Sequence, residues 1–179
     1  MRGEEIQPRG SKMRAKGEGF FGQAETLSYQ PSSRVIGQMT KESCVSANCR
    51  MLLQDEGLDA PEAYLRSALK TTWRGSDVPL VPEVLRQFGS VRTYVFRRDL
   101  SWAELQEAVN RGPAMAMVSR PETPDEAHVV LVDAVGEKVV AIRDSLPDGR
   151  GTAYQVSSEL FLRAWLREKT GLGRAVIVE

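Results

Sequence analysis

Residues 36–53 read Ile-Gly-Gln-Met-Thr-Lys-Glu-Ser-Cys-Val-Ser-Ala-Asn-Cys-Arg-Met-Leu-Leu, with Gln38 six positions before Cys44. Small and apolar positions recur with helical spacing after Cys44, which predicts a helix to about Gln54. Ser43 is a good N-cap type, so Cys44 falls in the first turn. Free N–H groups and the positive end of the helix dipole favour an anion there. Because the thiolate is the reactive form of cysteine, Cys44 is the candidate nucleophile.

The chain has a single histidine, His128, which begins an apolar, β-branched run typical of a central strand. A short turn at 136–138 separates this run from a second one, 139–143, which ends in Asp144. This pattern predicts a hairpin that brings His128 beside Asp144. The pairing depends on the register, because a one-residue slip turns the carboxylate to the other face of the sheet. Cysteine, imidazole and an orienting carboxylate are the groups of covalent catalysis by an activated nucleophile.

Three separated elements, in this order, resemble the papain-like cysteine peptidases, and most closely the bacteriocin-processing (double-glycine leader) peptidases and related papain-fold bacterial toxin domains. The elements are Gln38…Cys44 with its helix, His128-Val-Val-Leu-Val, and Asp144-Ser-Leu-Pro-Asp-Gly with a downstream Ser158…Trp165. The resemblance covers residues 34–179. It implies Cys44 as nucleophile, His128 as base and Asp144 as the group that orients His128. It also implies an oxyanion hole formed by the Gln38 side chain and the Cys44 backbone N–H.

The main hypothesis is therefore a cysteine endopeptidase, a thiol hydrolase that cuts specific peptide bonds in a protein or peptide substrate. The leader peptidases usually carry Asp-Cys-Gly where this chain has Ser43-Cys44-Val45. This departure, and a flexible arm at 1–30, favour a toxin or effector domain with an inhibitory immunity protein as partner. The alternative within the class is the leader peptidase of a peptide-export system.

Two other functional classes stay open. The same cysteine, histidine and acid can deamidate glutamine or transfer an acyl group. The third class is a non-catalytic binding module on the same fold, against which the presence of both Cys44 and His128 argues.

Composition excludes several partners. Lys+Arg 24 balance Asp+Glu 24, so no basic excess indicates nucleic acid or an anionic membrane as a partner. No apolar run is long enough to span a bilayer, and the N-terminus lacks the apolar core of a signal peptide. With two cysteines and one histidine, no metal site is expected, and no cofactor is predicted. Both thiols are expected to be free, which indicates a reducing, cytoplasmic site of action, with secretion inside a larger toxin as the alternative.

The order of elements, helices first and antiparallel strands after them, predicts an α+β domain. An N-terminal helical part that carries the nucleophile helix should pack on a C-terminal antiparallel sheet. The domain is expected to span 31–179, preceded by a flexible arm or linker at 1–30 from which Phe20-Phe21 could dock on the domain. A proline-stiffened loop at 119–126 should deliver His128, and a last helix should run over 159–169.

Other residues have simpler interpretations. Cys49 lies deep in the predicted helix and should be inert core. Asp133 should point away from His128, and Asp148 is a turn residue. The three tryptophans are interpreted as packing anchors, with Trp73, in a loop, as a candidate for lining the substrate cleft.

Overall fold

A seven-stranded antiparallel sheet organises the protein in a computed structural model that describes residues 19–22, 25–120 and 123–179. The strands are β1 (Thr26–Ser28), β2 (Tyr94–Leu100), β3 (Ala114–Arg120), β4 (Thr123–Val135), β5 (Val139–Asp144), β6 (Thr152–Ser157) and β7 (Gly173–Val178). The α-helices are α1 (Cys44–Asp55), α2 (Glu62–Ala68), α3 (Val81–Gln87), α4 (Trp102–Arg111) and α5 (Ser158–Trp165).

The strands lie in the order β1-β6-β5-β4-β3-β7-β2, which puts β4, the strand of His128, in the middle. Each face of the sheet carries its own apolar core, as alternation along a strand requires. Residues of even number on β4, such as Val130 and Val132, join the core formed with α4 and α5. Val129 and Leu131 join the core formed with α1, α2 and α3. The sheet is thus buried on both faces.

The predicted α+β class and the packing of the Cys44 helix on an antiparallel sheet are confirmed. The capping box of α4 is present, with Ser101 and Glu104 each bonded to the other's backbone N–H. None of the helices in the described ranges is long and apolar enough to cross a membrane.

Two predicted boundaries were wrong. The loop expected over 119–126 is instead the end of a hairpin, since β3 reaches Arg120 and pairs it with Thr123. Prolines suggested a loop, but a proline is tolerated near the beginning of a strand. The last helix ends at Trp165 rather than 169, and its C-cap residue, Leu166, is already extended.

Part of the predicted N-terminal arm lies against the domain. Residues 26–28 pair with β6 as the edge strand of the sheet. Phe20 is buried, with 2% of its surface exposed. The sheet therefore extends N-terminal of the boundary predicted at residue 31. Residues 1–18 of the arm lie outside the described residues.

Candidate active site

A β-bulge in the β4–β5 hairpin puts His128 and Asp144 on one face of the sheet. Next to the turn, Val135 pairs with Val140, and this register, if continued, would place Asp144 opposite Leu131, on the face away from His128. The register shifts between Val132 and Ala134, so that Leu131 pairs with Arg143 instead. Asp144 then lies opposite Val130. His128 is two residues before Val130 on β4, so its side chain is on the same face of the sheet as Asp144.

The two side chains are hydrogen-bonded. His128 Nε2 and Asp144 Oδ1 lie 2.7 Å apart, and both side chains are almost fully buried. Asp144 also accepts bonds from the Leu146 N–H at Oδ1 (2.9 Å), and from the Phe20 N–H (2.7 Å) and the Tyr154 hydroxyl (2.6 Å) at Oδ2. Burial alone would raise the pKa of Asp144, but the charge of His128 and these hydrogen bonds hold it below the ordinary value.

Cys44 is the second side chain that acts on the pKa of His128. Because Nε2 bonds Asp144, Nδ1 is the ring nitrogen left for the thiol. Burial alone would lower the pKa of His128, but the charge of Asp144, the hydrogen bond with Asp144 and the neighbouring Cys44 raise it to about 9. The imidazolium is therefore the stable form at neutral pH. The structure brings the three predicted residues together in one site.

The first turn of α1 carries Cys44, as predicted, but Ser43 does not cap it with its side chain. The Ser43 hydroxyl instead donates to the Thr40 carbonyl (2.9 Å) and accepts from the Thr40 N–H (3.0 Å). This local turn uses the hydroxyl that would otherwise cap the helix. The predicted side-chain cap is therefore wrong. As a result, the backbone N–H groups of the first turn, beside Cys44, do not donate to the Ser43 hydroxyl.

Gln38 is buried beside this turn and is held by backbone and side chain. Its N–H donates to the Ser145 carbonyl (2.9 Å), and its carbonyl accepts from the Gly149 N–H (2.7 Å). Its Oε1 accepts from the Ser145 hydroxyl (2.8 Å), while Nε2 donates to the Thr40 carbonyl (2.9 Å). An amide nitrogen has two donors, so the second Nε2–H remains for a ligand.

Gly37 allows this close approach. A Cβ at that position would lie 2.1 Å from the backbone nitrogen of Arg150, closer than any side chain can come. The Gln38 loop can therefore lie directly on the turn that follows Asp144 only because residue 37 has no side chain.

Sequence reasoning missed two polar residues that support the site. Asn48, which lies on the buried face of α1, donates from Nδ2 to the Cys44 carbonyl (2.7 Å) and the Val129 carbonyl (2.9 Å). It thereby joins the cysteine helix to the strand of His128. The second is Tyr154, on β6, whose hydroxyl bonds Asp144. A polar residue on an apolar helix face was a usable signal for Asn48, whereas Tyr154 looked like any strand aromatic.

A buried ion-pair cluster lies on the opposite face of the hairpin. Arg143 is fully buried and pairs with Asp55, at the end of α1 (2.6 Å), and with Asp133, at the bulge (2.9 Å). Its Nη1 also donates to the Arg34 carbonyl (3.0 Å). The cluster therefore joins the C-terminus of α1 to the residue where the register shifts. This agrees with the expectation that Asp133 points away from His128.

The remaining sequence candidates lie elsewhere. Cys49 is fully buried, and its burial, with a smaller effect from Cys44, raises the pKa of its thiol well above the ordinary value. Both cysteines are free thiols. Asp148 lies in a turn, and Trp73 is 78% exposed beneath the guanidinium of Arg74. Within the described part of the chain, no three His, Cys, Asp or Glu side chains gather to hold a metal ion.

A cavity of about 440 Å³ opens between the ends of β3, β4 and β7 and the segment after α5. Its wall includes Ala127, the neighbour of His128, and Trp165. Five of its side chains are cationic and one is anionic: Arg120, Arg163, Arg167, Lys169 and Arg174 against Glu168. The wall of this cavity is therefore locally positive, although the net charge of the whole chain is zero.

The fold is similar to that of solved peptidase domains. The protein superposes on the peptidase domain of Streptococcus ComA, described as a bi-functional ABC transporter involved in quorum sensing, with a TM-score of 0.62 and 20% identity, over 82% of this chain and 97% of that one. It superposes on a double glycine motif protease from an AMS/PCAT transporter in complex with the leader peptide, with a TM-score of 0.61 and 17% identity, over 87% and 98%.

A third similar structure is a C39-like peptidase from Bacillus anthracis, described as putative, with a TM-score of 0.63 and 15% identity, over 83% of this chain and 95% of that one. No protein-family model matches the sequence, and no curated protein matches it significantly. At these identities the likeness is one of fold. Each of the three domains is covered almost completely, so their whole architecture is present here.

Proposed function

We propose that this protein is a cysteine endopeptidase with Cys44 as nucleophile, His128 as acid and base, and Asp144 as the residue that orients the imidazole. The observation that carries the proposal is the buried His128, bonded through Nε2 to Asp144 at 2.7 Å, with Cys44 as the other side chain that acts on its pKa. This arrangement combines the Cys44 thiol with an imidazole that can accept and donate a proton. The Asp144 carboxylate fixes the tautomer of that imidazole.

The reaction follows from these positions. The Cys44 thiolate attacks the substrate carbonyl carbon, and the C–N bond breaks as His128 gives its Nδ1 proton to the leaving amine. The product is a thioester on Cys44. Water then attacks the thioester, His128 takes the proton from that water, and the acid product leaves as the thiolate reforms. Asp144 stays ionised throughout and stabilises the imidazolium.

The oxyanion that forms in both steps needs donors that are already in place. We assign this role to the Cys44 backbone N–H, at the beginning of α1, and to the second Nε2–H of Gln38. The bonds from Ser145 and to Thr40 orient the Gln38 amide before substrate binds. Such fixed donors cost no reorganisation when charge develops in the transition state.

The chain itself supplies a matched pair of variants to test this chemistry. Cys44→Ala should abolish cleavage without unfolding the protein, whereas Cys49→Ala removes a buried thiol on the same helix and should retain cleavage. Wild type and both variants are incubated with a bacterial lysate, and new protein N-termini are mapped by mass spectrometry. Sharp new termini with wild type and Cys49→Ala only are the expected result. Cleavage that survives in Cys44→Ala would refute the mechanism.

For the substrate class, the comparisons favour a leader peptide over a toxin target. One similar protease was solved with a leader peptide bound. We therefore infer a peptide substrate with a double-glycine motif, cut in a compartment where Cys44 stays reduced. Synthetic peptides with Gly-Gly and with Ala-Ala before the cut site test this inference, and equal cleavage of both would contradict it. A toxin domain would instead cleave a folded host protein and bind an immunity protein.

The same three residues could instead catalyse deamidation or acyl transfer. The mass of the target protein distinguishes these reactions from hydrolysis. If a target protein exchanges a side-chain amide nitrogen for oxygen while its backbone stays intact, the protein is a deamidase and not a peptidase. New termini without that exchange support the peptidase.

A further inference from the structure

Phe20 lies directly on the paired side chains of His128 and Asp144. Its ring stacks on the imidazole, with centroids 5.6 Å apart and planes 14° from parallel. Its backbone N–H donates to Asp144 Oδ2 at 2.7 Å. Only 2% of Phe20 is exposed, so the ring stacked on the imidazole is itself shielded from solvent. Phe20 belongs to neither the cysteine helix nor the hairpin.

The turn that carries Phe20 is anchored on both sides. Gly22 donates to the Gly19 carbonyl at 3.1 Å, which closes the turn. A Cβ on Gly19 would lie 2.4 Å from a ring carbon of Tyr154 and 3.0 Å from Asp144 Oδ2, so the backbone touches the site itself. From the other side, Arg120 Nη2 donates to the Phe20 carbonyl at 2.8 Å, and its guanidinium lies 4.9 Å from the centre of the Phe20 ring.

We propose that Phe20, held in place by its turn, braces the active site and is a positioning residue for His128. The inference rests on the proposed function, because it assigns Phe20 to the geometry of the same three residues. His128 must keep Nε2 on Asp144 while Nδ1 faces Cys44, and a ring stacked nearly parallel on the imidazole blocks its rotation. The same ring keeps water from the bond between His128 and Asp144, which strengthens that bond.

Two alanine substitutions in the full chain separate this role from simple packing. Phe20→Ala removes the ring stacked on His128. Phe21→Ala is the matched control, since its ring packs on Phe20, Tyr154 and Phe161 in the same turn. Phe20→Leu refills much of the volume without the flat face. Thermal unfolding of all three variants reports how much each ring contributes to stability.

Steady-state kinetics on a cleaved peptide give the first readout. Phe20→Ala should lower kcat by roughly tenfold to a hundredfold with KM nearly unchanged, the pattern of a misplaced reacting group. Phe20→Leu should recover part of this loss, and Phe21→Ala should leave kcat within about twofold of wild type even where it lowers Tm. Equal losses of kcat in Phe20→Ala and Phe21→Ala, or none in Phe20→Ala, would overturn the proposal.

A second readout does not need peptidase activity. His128 is the only histidine of the chain, so its imidazole signals are a single set in the NMR spectrum of the untagged protein. In the wild type, the Phe20 ring should shift the imidazole proton signals upfield. Phe20→Ala should abolish that shift and slow alkylation of Cys44 by iodoacetamide, whereas Phe21→Ala should change neither.

These results distinguish the two proposals. A wild type that cuts no peptide, but whose imidazole signals and Cys44 alkylation respond to Phe20→Ala alone, refutes the peptidase and keeps the brace. A wild type that cleaves, with the same His128 signals and kcat in Phe20→Ala and Phe21→Ala, keeps the peptidase and refutes the brace.

Discussion

Tyr154→Phe removes one hydrogen bond from Asp144 and leaves the packing almost unchanged. The Tyr154 hydroxyl donates to Asp144 Oδ2 at 2.6 Å, and the side chain is 4% exposed in the core. A hydrogen bond to a charged group contributes about 1.5–3 kcal/mol. The ring stays in place, so no cavity adds to this cost. For a domain of this size we expect a Tm lower by roughly 3–12 °C.

The measurement is urea-induced unfolding of wild type and Tyr154→Phe at pH 7, with the free energy of unfolding obtained at equal m-values. Tyr64→Phe is the control, because Tyr64 is 65% exposed, and it should change stability by less than about 0.5 kcal/mol. A loss in Tyr154→Phe no larger than that of the control would refute the reasoning.

The pH dependence adds a second check. The folded-state pKa of Asp144 is depressed, with the Tyr154 bond among its causes. The stabilisation from such a group is fully present above the unfolded-state pKa, about 4, and is lost as the pH falls through the folded-state value. The difference between wild type and Tyr154→Phe should therefore be constant near neutral pH and shrink in acid. A difference that grows in acid would contradict an ionised Asp144.

Three further outcomes are expected. Arg143→Met leaves two largely buried carboxylates without their cation and should lower the free energy of unfolding by about 3–5 kcal/mol, measured with urea. Arg86→Met, at an exposed pair, should lower it far less, and equal losses would contradict a structural cluster. The pKa of His128 is raised to about 9, so His128 should add about 3 kcal/mol to the free energy of unfolding below pH 6.5, and this stabilisation should be lost as the pH rises to 9. His128→Gln should flatten this pH dependence, and an equally steep curve in that variant would refute the assignment. Gln38→Ala should lower kcat by about 10²–10³-fold, and a change confined to KM would argue against an oxyanion role.

Local patterns were sufficient for most of the secondary structure. The apolar spacing after Cys44 and the runs on either side of 136–138 each depend on neighbours in the chain, so the sequence alone indicated them. The predicted loop at 119–126 failed because prolines report local backbone preference, whereas pairing with β3 extended β4 to Thr123. The α+β class followed from the order of these elements.

The chemical types of the candidate site were also readable from the sequence. A cysteine at a helix N-terminus, one histidine and an acid at the end of the next strand leave few alternatives for a nucleophile, a base and an orienting group. The order of these residues and the Gln38 offset indicated the family resemblance that the fold comparison then matched.

Only the tertiary structure decided whether these groups meet. The bulge at Asp133 turns His128 to the face of Asp144, and a strand that kept its first register would have separated them. The Phe20 stack and the Tyr154 hydroxyl reach Asp144 and His128 from segments far away in the chain. Contacts of this kind depend on register and on packing between distant elements, and neither leaves a periodic or compositional signal in the sequence.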